Sequence, residues 1–177
     1  MASVFILLGL LAGGYLAAVM LLVHRVAAAG RKLPVTAEWI GELSVERYRP
    51  MLTLLDGKDI EFLKSQPGFT PRMAIRLRIQ RCQVFREYLR CLSADFGRTC
   101  AAVKVLMLQS KNDRPELAGL LVRSQAVFAC GIIGVQARLL CYRFGIGAVD
   151  AEILVSTFDA MRVQLRSLVP VEAMLVA

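Results

Sequence analysis

The sequence is poor in the side chains that most enzymes use for acid–base and nucleophilic chemistry. Its one histidine, His24, directly follows an N-terminal apolar run, so the rest of the chain has no imidazole for a general base or a catalytic triad. The nucleophile-elbow, P-loop and dinucleotide-binding glycine motifs are absent. A lone G-x-G, Gly145 to Gly147, follows a predicted helix and not a strand, so we do not expect phosphate binding there. We therefore predict a protein that is not an enzyme and that holds no cofactor.

Paired cysteines are also missing. The cysteines are odd in number and include no C-x-x-C pair; they are Cys82, Cys91, Cys100, Cys130 and Cys141. This spacing excludes the usual zinc sites. The first three are evenly spaced, and on one helix they would lie roughly 13 Å apart along the axis on alternating sides, too far apart to share a metal. We expect buried, unpaired thiols in a reducing compartment; an interhelical disulfide and a reactive thiol are the alternatives.

The acidic residues give no metal site either. Asp56, Asp59 and Glu61 lie close together in sequence but lack the carboxylate pattern of an EF-hand loop. They fit the first turn of a helix, where negative charge is favourable. We predict that the chain binds no metal.

Charge is absent from the stretch between Val4 and Val23. About 20 apolar residues match the hydrocarbon core of a bilayer, which is roughly 30 Å thick. The residues before the run carry no side-chain charge, and the run is longer than the apolar part of a signal peptide. We therefore assign residues 1–25 to a retained, single transmembrane anchor.

The basic residues beside this run predict its orientation. No Lys or Arg precedes it, whereas five follow it closely: Arg25, Arg31, Lys32, Arg47 and Arg49. Because cytoplasmic flanks carry the excess of positive charge, the N-terminus is predicted outside and the remaining chain in the cytoplasm, where unpaired cysteines also belong. Gly9 and Gly13 form a G-x-x-x-G that could support weak self-association of the anchor.

The rest of the chain predicts an all-α fold. Residues 26–45 form a juxtamembrane linker with a short amphipathic segment, Thr36 to Leu43, and residues 46–177 form a helical domain. Within this domain we predict two short helices before residue 65, a turn at Gln66 to Pro71, and three longer helices. The longer helices cover about 71–110, 114–144 and 150–168, and short connections make them an antiparallel three-helix bundle with one helix of about 40 residues.

Apolar positions at steps of three and four predict the buried face of each long helix. For the first the line is Leu77, Val84, Tyr88, Leu92, Phe96, Thr99, Val103 and Leu106, and for the third it is Ala151, Leu154, Phe158, Met161, Leu165 and Leu168. The second has two such lines, which predicts contact with two neighbours and burial on most sides. Its first line is Leu117, Leu121, Gln125, Phe128, Ile132, Val135, Leu139 and Tyr142, and its second line is Val122, Ala126, Ala129, Ile133 and Leu140. Arg123 and Arg138 leave too short an apolar stretch between them for a second membrane span.

Positive charge is concentrated at the start of the longest helix. The net charge is +8, and Arg72, Arg76, Arg86 and Arg90 fall on one face of this helix, opposite its apolar line. This arginine stripe fits a solvated face, anionic lipid headgroups or an acidic protein partner, and no other feature points to nucleic acid. Arg81 and Asp95 lie nearer the apolar side, where we expect them to be buried and bonded to neighbouring elements.

These patterns predict a non-enzymatic interaction or scaffold module at the cytoplasmic face of a membrane, with an unknown protein partner. Two alternatives stay open. One is a helical domain that binds a lipid or another small apolar ligand in a cavity between Phe96, Phe128 and Phe158. The other is an enzyme that uses cysteine or carboxylate chemistry, which requires an exposed thiolate or paired carboxylates in a cleft.

Overall fold

A computed structural model describes residues 39, 42–109 and 115–168, and these contain helices and no strand. The all-α prediction is therefore confirmed for the described residues. The elements are a 3₁₀ turn Glu46–Tyr48, α1 Arg49–Thr53, α2 Lys58–Lys64, α3 Pro71–Gln109, α4 Pro115–Arg143 and α5 Glu152–Leu168. The predicted anchor, its G-x-x-x-G, most of the linker and the connection between α3 and α4 lie outside the described residues.

Glycines and a proline set the bounds of the long helices. Gly68 takes a φ of +92° in the turn before α3, and Pro71 then starts that helix, where a missing N–H costs nothing. Gly145 and Gly147, with φ of +83° and +77°, turn the chain after α4. Asp150 accepts a hydrogen bond of 2.8 Å from the backbone N–H of Glu152 at the start of α5.

The three long helices contact one another pairwise. Phe96 in the middle of α3 stacks on Phe128 in the middle of α4, with ring centroids 3.9 Å apart. Arg78 near the start of α3 lies beside Gly145, just after α4. The two helices therefore run in opposite directions. Gly131 of α4 packs against the Leu154 side chain of α5.

The predicted buried line of α5 agrees with the structure, whereas that of α3 is wrong in its first half. In α5 the four positions from Leu154 to Leu165 have no exposed surface. In α3, Val84 is 47% exposed and its neighbour Phe85 is 1% exposed. Both side chains are apolar, so periodicity alone does not predict which of them is buried; that depends on where the neighbouring elements pack against α3.

Helix α4 is less buried than predicted. Its first apolar line faces the core, with Phe128, Ile132 and Leu139 fully buried. Its second line is largely open to solvent, since Val122 is 65% and Leu140 is 53% exposed. Within the described residues α4 is the helix long and apolar enough to cross a membrane by length and composition, and 28% of its most apolar window is buried.

The segment before α3 packs onto the long helices. Leu43, Tyr48 and Met51 belong to the hydrophobic core, and Trp39 packs against it. The backbone carbonyl of Leu43 accepts a hydrogen bond of 3.2 Å from Arg162 of α5. The packed part of the chain therefore includes residues upstream of position 46.

Candidate functional site

The arginine stripe lies on the open side of α3. Arg72, Arg76, Arg86 and Arg90 are all exposed. Among the ion pairs of the described residues, the stripe contributes one, between Arg90 and the exposed Glu87 at 2.9 Å, and exposed pairs of this kind contribute little stability. The stripe therefore carries positive charge that the fold itself does not use.

Two further arginines of the same stretch have different surroundings. The Arg81 side chain is 14% exposed and pairs with Asp59 of α2, and it also donates a hydrogen bond of 3.1 Å to the carbonyl of Asp56. Arg81 therefore ties α2 to α3, as expected for an arginine near the apolar side. Arg78 is half-buried and lies against Gly145 in the turn after α4.

Asp95 is bonded as predicted. The Tyr48 hydroxyl donates a hydrogen bond of 2.5 Å to Asp95 Oδ2, and the Tyr48 ring meets Phe158 edge-on at 5.7 Å. Burial, followed by the bond to Asp95, holds the pKa of the Tyr48 phenol well above its usual value. Because this hydroxyl stays protonated and bonded to Asp95, it connects the N-terminal segment to α3 and α5.

The expectation of uniformly buried thiols is wrong for three of the five cysteines. Cys82 and Cys100 are buried, whereas Cys91, Cys130 and Cys141 are exposed, and all five are free. Burial raises the pKa of Cys82 and raises that of Cys100 to about 12, against a hydrogen bond with Gln125 that lowers it. Burial therefore disfavours the thiolate form of Cys82 and Cys100, which is the form that reacts.

A pocket of about 160 Å³ lies between α2, the start of α3 and the turn after α4. Lys64, Arg78 and Tyr142 contribute polar side chains to its wall, Glu61 lines it as well, and the rest of the wall is Gly57, Ile60, Gly145 and Gly147. Tyr142 is 5% exposed, and its hydroxyl has no hydrogen-bond partner among the described residues. A buried hydroxyl without a partner is unusual in a folded protein.

Gly145 leaves room for the guanidinium of Arg78 beside the turn. A Cβ atom at Gly145 would lie 2.8 Å from Nη1 of Arg78, and the φ of +83° disfavours any side chain there. The glycine thus lets the guanidinium approach the backbone of the turn. The wall of the pocket therefore includes an arginine, a lysine and a tyrosine whose buried hydroxyl has no partner among the described residues.

No group of three or more metal-ligating side chains occurs among the described residues. Asp59, one of the three acids considered from the sequence, is instead engaged by Arg81. Asp56 accepts a long bond of 3.5 Å from the Lys58 N–H. Desolvation raises the pKa of Asp56, but the hydrogen bonds and the charge of Lys58 together outweigh it, so the pKa lies below its usual value. Asp56 and Asp59 are therefore engaged by neighbouring side chains and backbone at α2 and α3.

Comparison of the chain with protein-family models, with curated proteins and with solved structures gives no match.

Sequence patterns placed the stripe on one face but missed the pocket. Its polar members lie on three elements, Lys64 on α2, Arg78 on α3 and Tyr142 on α4, and no spacing rule connects them. The one sequence signal near the pocket is the pair Gly145 and Gly147. The end of the preceding helix explains these glycines as a C-cap and turn, so they did not by themselves indicate a pocket.

Proposed function

We propose that the chain is a membrane-anchored, non-enzymatic interaction module whose arginine stripe docks on an anionic membrane surface. In this proposal Val4 to Val23 is the single membrane span, the N-terminus is outside, and α3, α4 and α5 form an antiparallel three-helix bundle at the cytoplasmic face. The observation that carries the proposal is the stripe itself: four exposed arginines on one face of α3, of which one has a partner.

The expected free energy favours docking of the stripe on anionic lipid over a stripe that contacts only water. A Lys or Arg near an anionic leaflet contributes about 1 kcal/mol, so four on one face can hold a tethered domain against the bilayer. The anchor keeps the domain close to that surface and lowers the entropic cost of docking. An acidic protein would meet the same charges, and the vesicle experiment below separates the two partners.

The core gives less support to the ligand-binding alternative. That alternative needs a cavity between Phe96, Phe128 and Phe158, yet the first two rings are stacked on each other and all three are fully buried. The enzyme alternative needs paired carboxylates or an activated thiolate in a cleft, and the wall of the pocket includes one carboxylate, Glu61, and no cysteine.

The test is flotation of residues 36–177 with vesicles of phosphatidylcholine, alone or mixed with phosphatidylglycerol. This fragment keeps Trp39 and Leu43, which pack on the core. We expect binding to the anionic vesicles alone, and a strong loss of binding at high salt because exposed charges are screened. Replacing the four stripe arginines with Gln should abolish most of this binding.

A matched variant controls for net charge. Arg47, Arg123, Arg138 and Arg166 are exposed and have no ion pair among the described residues; replacing these four with Gln removes the same charge from scattered positions. Equal binding by the stripe variant and the scattered variant would contradict lipid docking through the stripe. Absence of vesicle binding by the unmodified fragment would point to an acidic protein partner instead.

A further inference from the structure

The pocket between α2, α3 and the turn after α4 has more donors than acceptors. Arg78 and Lys64 carry hydrogen-bond donors and positive charge and accept nothing. Neither takes part in an ion pair among the described residues, and the Tyr142 hydroxyl has no partner there either. Because the two cations cannot accept its proton, the hydroxyl needs an acceptor that the described residues do not provide.

We infer that this pocket binds the terminal phosphate of a lipid headgroup. A phosphomonoester has three terminal oxygens for three donors: the Arg78 guanidinium, which can bind two oxygens side by side, the Lys64 ammonium and the Tyr142 hydroxyl. A volume of about 160 Å³ admits a phosphate group but no large apolar molecule. Gly145 thus contributes to the phosphate site by leaving room for Arg78 beside the turn.

The surroundings of the pocket favour a lipid as the source of this phosphate. Phe144 and Ile146 alternate with the two glycines of the turn and are 78% and 67% exposed. Phe62, between the wall residues Glu61 and Lys64, is 68% exposed. Exposed aromatic and aliphatic side chains beside a basic pocket suit insertion between lipid headgroups. The choice of a lipid as the source rests on the proposed membrane location. The inference that the pocket binds a phosphate group is independent of that location.

The negative charge of Glu61, in the wall of the pocket, weakens the binding of an anion there. Glu61 is exposed and has no ion pair among the described residues, so its charge is well solvated and reduces the attraction only partly. Replacing Glu61 with Gln should therefore tighten phosphate binding about twofold to threefold.

The experiment is calorimetric titration of the full-length chain in dodecylmaltoside micelles with short-chain phosphatidic acid, and separately with inorganic phosphate and short-chain phosphatidylcholine. We expect phosphatidic acid to bind most tightly. Tyr142→Phe and Lys64→Gln should each weaken it by about tenfold or more, as expected for the loss of a hydrogen bond to a charged group. Lys58→Gln, on the same helix as Lys64 but outside the pocket wall, should bind like the unmodified chain.

The folding of the tyrosine variant separates a binding role from a structural one. Because the Tyr142 hydroxyl has no partner, Tyr142→Phe should unfold at the same temperature as the unmodified chain or at a higher one. Unchanged affinity of both Tyr142→Phe and Lys64→Gln would overturn the site. Equal affinity for phosphatidylcholine would overturn phosphomonoester recognition, and equal affinity for inorganic phosphate would overturn the lipid assignment.

The proposed roles of the stripe and the pocket can be tested separately. The variant without the four stripe arginines should lose vesicle flotation and still bind short-chain phosphatidic acid. Tyr142→Phe should bind phosphatidic acid poorly and still float with vesicles that contain phosphatidylglycerol. Loss of both activities in either variant would contradict two separate surfaces.

Discussion

The hydrogen bond from Tyr48 to Asp95 joins the segment before α3 to the middle of that helix. A hydrogen bond to a charged acceptor contributes about 1.5–3 kcal/mol, so Tyr48→Phe should lower the free energy of unfolding of residues 36–177 by about that amount. The measurement is urea denaturation followed by circular dichroism. Tyr88→Phe is the control, since the half-buried Tyr88 has no hydrogen bond from its hydroxyl to the described residues. An equal decrease in the free energy of unfolding in both variants would contradict a stabilising hydrogen bond between Tyr48 and Asp95.

Tyr48, together with Cys100, makes the free energy of unfolding decrease as the pH becomes alkaline. Burial and Asp95 raise the pKa of Tyr48, and burial raises the pKa of Cys100 to about 12. As pH rises past about 8.5 for the thiol and about 10 for the phenol, the unfolded chain loses these protons while the folded chain keeps them. Each group therefore makes its full contribution to the free energy of unfolding below this pH range. Above it the contribution decreases by up to about 1.4 kcal/mol per pH unit for each group.

The alkaline effect is checked by repeating the urea denaturation from neutral pH to about pH 11. The double variant Tyr48→Phe, Cys100→Ala should show a shallower decline than the unmodified fragment, although it starts from a lower stability. Parallel declines in the two proteins would mean that other groups cause the alkaline loss.

At the scale of single elements, helix bounds were predictable and helix faces only partly so. Pro71, Gly145 and Pro115 define where α3 and α4 begin or end, because proline and glycine act locally. Which side of α3 is buried depends on its neighbours. Val84 and Phe85 satisfy the periodic pattern equally well, and the packing of the core buries Phe85 and leaves Val84 exposed.

The contact between α4 and α5 gives a matched pair of glycine variants. A Cβ atom at Gly131 would lie 2.6 Å from Cδ2 of Leu154, a side chain with no exposed surface, whereas one at Gly134 would meet nothing within 4 Å. Gly134→Ala should stabilise by about 0.5–1 kcal/mol through helix propensity. Gly131→Ala should destabilise, since overpacking costs about 1–3 kcal/mol and exceeds the propensity gain. The measurement is urea denaturation, and equal effects at both glycines would contradict the close packing of α4 on α5.

The open face of α4 was not predicted from its two apolar lines. Both lines suggested contact, yet Val122 and Leu140 on the second line are largely exposed. An apolar side chain on a helix indicates burial only when a neighbour is available to cover it. The described residues supply α3 and α5 on one side of α4 and nothing on the side of Val122 and Leu140.

At the scale of the whole molecule, the sequence pattern predicted the helical class, which the described residues confirm, whereas the separation of an apolar N-terminal anchor from a basic domain stays a prediction. The sequence pattern did not predict the pocket, because Lys64, Arg78 and Tyr142 meet only when α2, α3 and α4 pack together. The six arginines between positions 72 and 90 look alike in sequence. Packing divides them into four that form the stripe, one that binds Asp59, and one that lines the pocket.

The central claim is that the helical domain lies at the cytoplasmic face of a membrane. The exposed cysteines report on this claim, whereas the buried Cys82 and Cys100 can stay in place because burial disfavours their reactive thiolate form. One variant keeps Cys91 as its exposed thiol and another keeps Cys130, with the remaining exposed cysteines replaced by Ser. A third carries Ala2→Cys on the predicted external side and has all three exposed cysteines replaced.

The most direct measurement is labelling of these variants in intact cells with a membrane-impermeant maleimide, before and after permeabilisation. We predict that Ala2→Cys is labelled in intact cells, and that Cys91 and Cys130 are labelled only after permeabilisation. Labelling of Cys91 in intact cells would contradict a cytoplasmic domain. Failure of Cys130 to react after permeabilisation, when Cys91 does react, would place α4 in the bilayer and contradict its packing as a core helix.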